Sequence, residues 1–225
     1  MDKYTWADKQ SETAFPIAKA GYPFIFAAAF TTAVLAVLGF KFFAFLAIII
    51  TFFICFFFRD PDRVTPDVEG VITSPADGTI IFAKQIKDSP FYSGPCLKIS
   101  IFMSVFNVHV NRIPYDGKIA KIAYNPGEFF PANLDKASLK NEHNAVFLTT
   151  DNGKELCFIQ IAGLIARRII CMVNKDDEVK RGQRYGMICF GSRLDVYIPP
   201  ECSLNVKIGE KVRAGTSVLG CFERM

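Results

Sequence analysis

The tract Tyr185-Gly186-Met187-Ile188-Cys189-Phe190-Gly191-Ser192-Arg193-Leu194-Asp195-Val196-Tyr197-Ile198-Pro199 sets a Gly-Ser pair between two apolar runs. A serine hydroxyl that reaches the carbonyl just before it can attack its own backbone, turning the Gly191–Ser192 amide into an ester that β-elimination then breaks. Hydrolysis of the resulting dehydroalanine would leave residue 192 as a pyruvoyl group. Such a ketone forms a Schiff base with an amine and accepts electrons from a departing carboxylate. Gly191 suits this step because it has no β-carbon and admits a close, strained approach. Gly-Ser pairs are also common in turns, where glycine permits positive φ and serine bonds to nearby backbone. A neutral serine is a poor nucleophile and calls for a base within reach. The chain has two histidines, His109 and His143. In Val108-His109-Val110-Asn111-Arg112, strand alternation puts the two valines on one face and His109 on the other with Asn107 and Asn111.

The surrounding tract, FGSR-x-DVY-x-P, resembles the processing site of the phosphatidylserine decarboxylases, in particular their short bacterial and archaeal branch. Other motifs resemble the family in the same order: FFRDPDR (Phe57 to Arg63), SPADG (Ser74 to Gly78), FMS-x-x-NVHVNR-x-P (Phe102 to Pro114), NPGEF (Asn125 to Phe129) and QIAG-x-x-ARRI (Gln160 to Ile169). The resemblance covers the chain from about Phe57 to its C-terminus. It implies a carboxy-lyase, made as a proenzyme, that converts phosphatidylserine to phosphatidylethanolamine and CO2 in phospholipid biosynthesis. Its cofactor would be a pyruvoyl group made from Ser192, with no metal and no PLP. Cleavage between Gly191 and Ser192 would give a β chain, residues 1–191, and an α chain, residues 192–225, held together as a heterodimer. A higher oligomer is expected by family analogy only.

The resemblance also assigns roles. His109 becomes the acid/base, and Asp77 of SPADG resembles the aspartate that orients a histidine. The longer enzymes carry a second histidine three residues after the first, usually assigned to the self-cleavage triad. Here Arg112 stands in that place and cannot serve as an ordinary base. Its fork geometry suits the phosphate of the lipid instead. His109 therefore serves both steps, or His143 assists.

From Phe24 to Phe58 the only charge is Lys41, and the stretch holds two apolar runs of 17 residues, Phe24 to Phe40 and Phe42 to Phe58. Each is about 26 Å long as a helix, just enough to span a bilayer. Gly39 and Lys41 lie between the runs, so a helical hairpin is expected first and one long tilted or re-entrant segment second, with residues 1–21 as an N-terminal cytoplasmic segment, 22–58 as the membrane anchor and 59–225 as the decarboxylase domain. Lys3, Lys9 and Lys19 before the anchor and Arg59 and Arg63 after it place both ends, and the catalytic domain, on the cytoplasmic side of the cytoplasmic membrane. Seven cysteines without C-x-x-C pairing argue for a reducing compartment. A net charge of +4 is too small to imply nucleic acid. Arg167, Arg168, Lys180, Arg181 and Arg184 are candidates to meet anionic head groups.

Beyond Arg59, short runs rich in Val, Ile and Phe alternate with Pro, Gly, Asp and Asn, which predicts a mainly β, antiparallel sandwich or barrel-like domain on an α-helical anchor. Strands are expected at Val71–Ile72, Thr79–Lys84, Leu97–Met103, Lys118–Tyr124, Ala145–Thr149, Leu156–Ile161, Arg168–Val173, Tyr185–Phe190, Asp195–Ile198, Leu204–Ile208 and Ser217–Glu223. Pro131 to Lys140 is expected to be a short helix or ordered loop. The stretches from Val179 to Arg184 and from Val206 to Lys211 share the form V-K-x-G-[QE]-[RK], each reading as a hairpin turn, and the second, with Ser74 to Ile81, resembles the hairpins of biotinyl- and lipoyl-type sandwich domains. A membrane-anchored, non-catalytic adaptor of that fold is the alternative reading. It leaves the Gly191-Ser192 context and NVHVNR without a reason. A serine hydrolase is disfavoured because G-x-S-x-G is absent.

Overall fold

The computed structural model describes residues 4–5, 7–8, 11, 13, 15–130, 140–163, 168–189 and 192–222. In chain order the elements are β1 (Tyr4–Thr5), α1 (Tyr22–Val37), α2 (Lys41–Phe57), β2 (Thr65–Pro66), β3 (Val71–Thr73), β4 (Gly78–Ile86), β5 (Cys96–Met103), β6 (Val110–Arg112), β7 (Gly117–Asn125) and β8 (His143–Thr149). They continue with β9 (Glu155–Ala162), β10 (Arg168–Cys171), β11 (Glu178–Val179), β12 (Arg184–Cys189), β13 (Ser192–Ile198), β14 (Cys202–Leu204), β15 (Lys211–Val212) and β16 (Val218–Phe222). Two compact units result, one of residues 11–62 and one of residues 1–10 with 63–225.

The smaller unit is an antiparallel helical hairpin. Gly39, at φ +80°, reverses the chain between α1 and α2, and the Phe24 ring stacks on Phe58 at 5.4 Å, setting the start of α1 beside the end of α2. Both helices are apolar around their circumference. Phe26, Phe42 and Phe52 are each more than 70% exposed, a surface suited to lipid rather than water. The hydroxyls of Thr31, Thr32 and Thr51 donate to carbonyls four residues back, the local satisfaction that an apolar medium requires. With the 3-10 turn before it, α1 gives 19 continuous residues (Lys19–Val37), long and apolar enough to cross a membrane, whereas α2 is shorter at 17.

The larger unit is mainly β, and its named strands pair antiparallel throughout. Its main sheet runs in the order β11-β7-β8-β9-β13-β5-β4-β15, flanked by three-stranded sheets β10-β12-β6 and β14-β16-β3. One face of the main sheet carries Ile80, Ile99, Ile101, Val146, Phe158, Leu194, Val196 and Ile198, which pack with Ile188, Tyr185 and Leu219 of the flanking sheets into a single core. Strand β13 lies near the middle of this sheet, hydrogen-bonded to β5 on one side and β9 on the other. Farther along the chain, β15 pairs with β4 and β16 with β3. The segment after Gly191 is thus woven into strands that precede it.

Several expectations shift. The strand expected at Asp195–Ile198 begins three residues earlier, so that Ser192, Arg193 and Leu194 open β13. The strand expected at Leu204–Ile208 stops at Leu204, and Ile208 lies 58% exposed in the turn that follows. His109 precedes β6 rather than lying within a longer strand, and Val108 through Arg112 are all buried. The helix or loop expected at Pro131 to Lys140 lies, except for Lys140, outside the described residues, as does Glu223.

The two V-K-x-G stretches do share one architecture. In each, Gln183 or Glu210 donates its backbone N–H to the carbonyl of Lys180 or Lys207, while its side chain accepts from that lysine's N–H. Gly182 (φ +86°) and Gly209 (φ +90°) then donate to the carbonyls of Ile113 and Ile80. A third turn, Asn174 to Asp177, repeats the pattern on Ile119 with Asp176 at φ +74° in the glycine position. Aspartate tolerates this conformation better than most residues, so the repeat survives without its glycine.

Tyr185 is fully buried on β12, edge-on to Phe158, and its hydroxyl has no hydrogen-bond partner among the described residues. Burial raises its pKa well above the ordinary tyrosine value. Replacing Tyr185 with Phe removes an unsatisfied buried group at nearly constant shape and should raise stability by about 1 kcal/mol. Thermal unfolding of the detergent-solubilised variant tests this, and a lower midpoint would contradict it.

Candidate active site

Ser192 opens β13 opposite Met103 on β5 and Ala162 on β9. It is fully buried, and its hydroxyl donates to the Met103 sulfur at 3.3 Å. A thioether is a weak acceptor and cannot take the proton, so it orients the hydroxyl without activating it. Gly191 and Phe190 lie outside the described residues. Cys189, which ends β12, is a poor rival nucleophile because burial pushes its thiol pKa up, with Arg168 opposing only in part.

His109 is fully buried. Its Nδ1 lies 2.9 Å from the Asn107 carbonyl. A carbonyl only accepts, so Nδ1 carries the hydrogen and the neutral ring keeps its lone pair on Nε2, the form a base needs. Asn107 is itself fixed: its side-chain oxygen accepts from both the backbone N–H and the hydroxyl of Ser104, at 2.9 and 2.8 Å. Antiparallel pairing with β12 then sets β6 beside the strand leading to Ser192, and the His109 carbonyl accepts from the Ile188 N–H.

His143 falls on the other side of the main sheet. It pairs with Ile161, which pairs with Arg193, so alternation puts His143 on Arg193's face and Ser192 on the opposite one. There His143 meets the edge of Phe91, which also packs on Tyr197.

Asp77 sits just ahead of β4, where Gly78 permits a close approach: a β-carbon there would collide with the Phe102 carbonyl. The Asp77 carboxylate accepts from Arg63 at 2.9 Å and from the Ala214 N–H at 2.8 Å. Arg112 is buried, donating to the Gly182 carbonyl at 2.8 Å and pairing with Asp8 at 3.5 Å. Asp8 also accepts from the backbone and guanidinium of Arg184. The N-terminal segment therefore returns to the larger unit and supplies the anion between two arginines.

Residues not singled out from sequence complete the surroundings of Ser192. Arg193 makes a two-point ion pair with Asp195, both distances 2.7 Å, and Lys98 approaches the same carboxylate at 3.3 Å. Burial alone would raise the Asp195 pKa, but the Arg193 and Lys98 charges outweigh it and hold the carboxyl below the usual value. On the Ser192 side, Asn111, Gln160 and Asn144 form a buried row of amides ending at Met103.

A sequence model of the phosphatidylserine decarboxylase family matches residues 50–220. Relatives that bear the name phosphatidylserine decarboxylase proenzyme include those of three organisms. That of Syntrophus aciditrophicus is 55% identical over 208 residues, covering 92% of this chain and 97% of the relative. That of Desulfotalea psychrophila is 47% identical over 205 residues (91% and 96%), and that of Cupriavidus metallidurans 48% over 205 residues (90% and 94%). The chain belongs to the phosphatidylserine decarboxylase family.

Proposed function

We propose that this chain is a self-processing decarboxylase of phosphatidylserine, yielding phosphatidylethanolamine and CO2, anchored by α1 and α2 in the cytoplasmic membrane with its larger unit facing the cytoplasm. The observation that carries the reading is the placement of Ser192: a buried serine at the start of a central strand, reached from β12, which pairs with β6 just after His109. In the processing step the Ser192 oxygen attacks the Gly191 carbonyl carbon, the Gly191–Ser192 C–N bond breaks and an ester forms. Loss of the Ser192 α-proton expels Gly191 as a carboxylate that keeps the serine oxygen. One water then enters and one ammonia leaves.

The residues present fit a pyruvoyl group at position 192, since it occupies the space of the serine that forms it. Once formed, this group supplies an electrophilic carbonyl that takes up the substrate amine and accepts the electrons of the departing carboxylate. His109 is the base for the α-proton during processing and the acid that returns a proton during turnover. Asp77, held by Arg63 and the Ala214 N–H, is assigned the role of stabilising the charged form of the histidine, whose orientation comes from the Asn107 carbonyl. For Arg112 we propose contact with the lipid phosphate, which would replace the Asp8 carboxylate. The fragments 1–191 and 192–225 stay together because β13, β15 and β16 remain paired with β5, β9, β4 and β3.

The activity is tested with purified protein on vesicles containing phosphatidylserine labelled at the serine carboxyl carbon. Labelled CO2 should be released and phosphatidylethanolamine should accumulate, and the absence of both would reject the reading. His109→Ala should lower turnover by about 10²–10⁴-fold, the usual span for a lost acid/base group. Turnover within a few-fold of the parent would remove His109 from the mechanism.

A further inference from the structure

The row of amides behind Ser192 has a single direction. Gln160 Nε2 donates to the Ile170 carbonyl at 3.3 Å and to Asn111 Oδ1 at 2.9 Å. Because a backbone carbonyl only accepts, it fixes which end of the Gln160 amide is nitrogen. Gln160 Oε1 must then face Asn144, whose Nδ2 donates to it at 3.2 Å. Asn111, having its oxygen on Gln160, must turn Nδ2 toward Met103 Sδ, 3.8 Å away. The same sulfur receives the Ser192 hydroxyl. Asn111, Asn144, Gln160, Met103 and Ser192 are all buried. Room for the row is provided by Gly186, where a β-carbon would lie 2.9 Å from Gln160 Nε2.

A line of amides through an apolar core is costly unless every member is satisfied, and a backbone carbonyl that fixes the middle amide fixes the direction of the whole row. We propose that Asn144, Gln160 and Asn111 form a one-way relay that pins Met103 and, through it, the Ser192 hydroxyl for attack on Gly191. Gln160 and Asn111 are then positioning residues for self-processing, acting through Met103. This rests on the reading of Ser192 as the processing nucleophile and adds the means by which its hydroxyl is aimed. The thioether suits that task because it holds the hydrogen weakly and leaves the proton available to a base.

The test follows cleavage of full-length, membrane-expressed protein by denaturing gel after a pulse of synthesis, with thermal stability measured alongside. Gln160→Met keeps the volume but loses the amide, and cutting should slow about tenfold or more. The double variant Gln160→Met/Asn111→Leu should be no slower than the slower single variant, because the two residues act in series. A purely structural role would make the two losses multiply. Met103→Leu, a volume-conserving change, should slow cutting several-fold with little change in stability, which keeps the proposal testable should the amide variants fail to fold. Parental cutting rates in folded Gln160→Met or in Met103→Leu, or multiplying losses in the double variant, would overturn the relay. Such results leave Ser192 as nucleophile intact; that reading fails separately, if the parent protein itself is never cut.

Discussion

Ser192→Ala should accumulate as one uncut chain of 225 residues without decarboxylase activity. The change removes only an oxygen from a fully buried residue, so the sheet around it has no reason to rearrange. Without that oxygen no ester forms, the Gly191–Ser192 amide persists, and residue 192 never becomes a carbonyl. The parent should instead run as two pieces, residues 1–191 and a 34-residue fragment, 192–225. Cleaved Ser192→Ala protein would assign the cut to a protease or to another residue. Uncut but active protein would remove the cofactor from the account. Ser192→Cys separates nucleophile from shape, since a thiol can make the analogous thioester: slow but detectable cutting is expected.

The second large effect lies on the opposite face of the same strand. Asp195 is fully buried between Arg193 and Lys98, and Asp195→Asn would leave two cations facing a neutral amide. Breaking one partner of a buried pair typically costs about 3–5 kcal/mol. The thermal midpoint of the larger unit should fall by about 10 °C or more. An Arg193→Met/Asp195→Leu double change removes both charges and should recover part of that loss. If the single change leaves the midpoint where it was, the ion pair does not carry the stability assigned to it.

The pH dependence has a definite sign. The Asp195 carboxyl is held below its ordinary value in the folded chain, so as pH falls the unfolded chain takes up its proton first, near pH 4. The contribution is therefore complete above about pH 4 and is lost as pH falls through the lower folded value. Stability should not depend on this group at neutral pH.

This pair also shows what the sequence leaves out. The run after Ser192 reads as a strand from Asp195 to Ile198, but the alternation of Arg193 and Asp195 with Leu194 and Val196 does not say what the charges meet. In the fold both faces of β13 are buried, one by the core and one by an ion pair closed upon itself, which hydrophobic periodicity cannot register. The same limit applies to Asn111, Gln160 and Asn144. Each lies in or beside a motif visible in sequence, but their convergence on Met103 depends on pairing between strands far apart in the chain.

Local signals were more reliable where the chemistry is local. The core strands, such as Leu97–Met103 and Leu156–Ile161, read correctly because their apolar runs are flanked by turn residues. The V-K-x-G turns could be matched to one another because glycine marks a backbone that needs positive φ. The third copy escaped because Asp176 fills that position. His109 stands out in its tract, yet the Asn107 carbonyl that sets its tautomer does not, since backbone partners leave no mark on side-chain pattern. Arg63, which holds Asp77, stands out in the sequence only within FFRDPDR and as a charge flanking the anchor. Asp8, which binds Arg112 and Arg184 across more than a hundred residues, had no signal at all.

The central claim is that residue 192 of the mature protein is a ketone made from its own serine. Intact mass measurement of the purified protein under denaturing conditions, before and after treatment with a carbonyl reagent such as phenylhydrazine, tests it most directly. The account predicts a fragment of residues 192–225 whose N-terminus is blocked to Edman chemistry and whose mass rises by one hydrazone. A single chain of full length, or a fragment beginning with an unmodified serine amine that ignores the reagent, would contradict it.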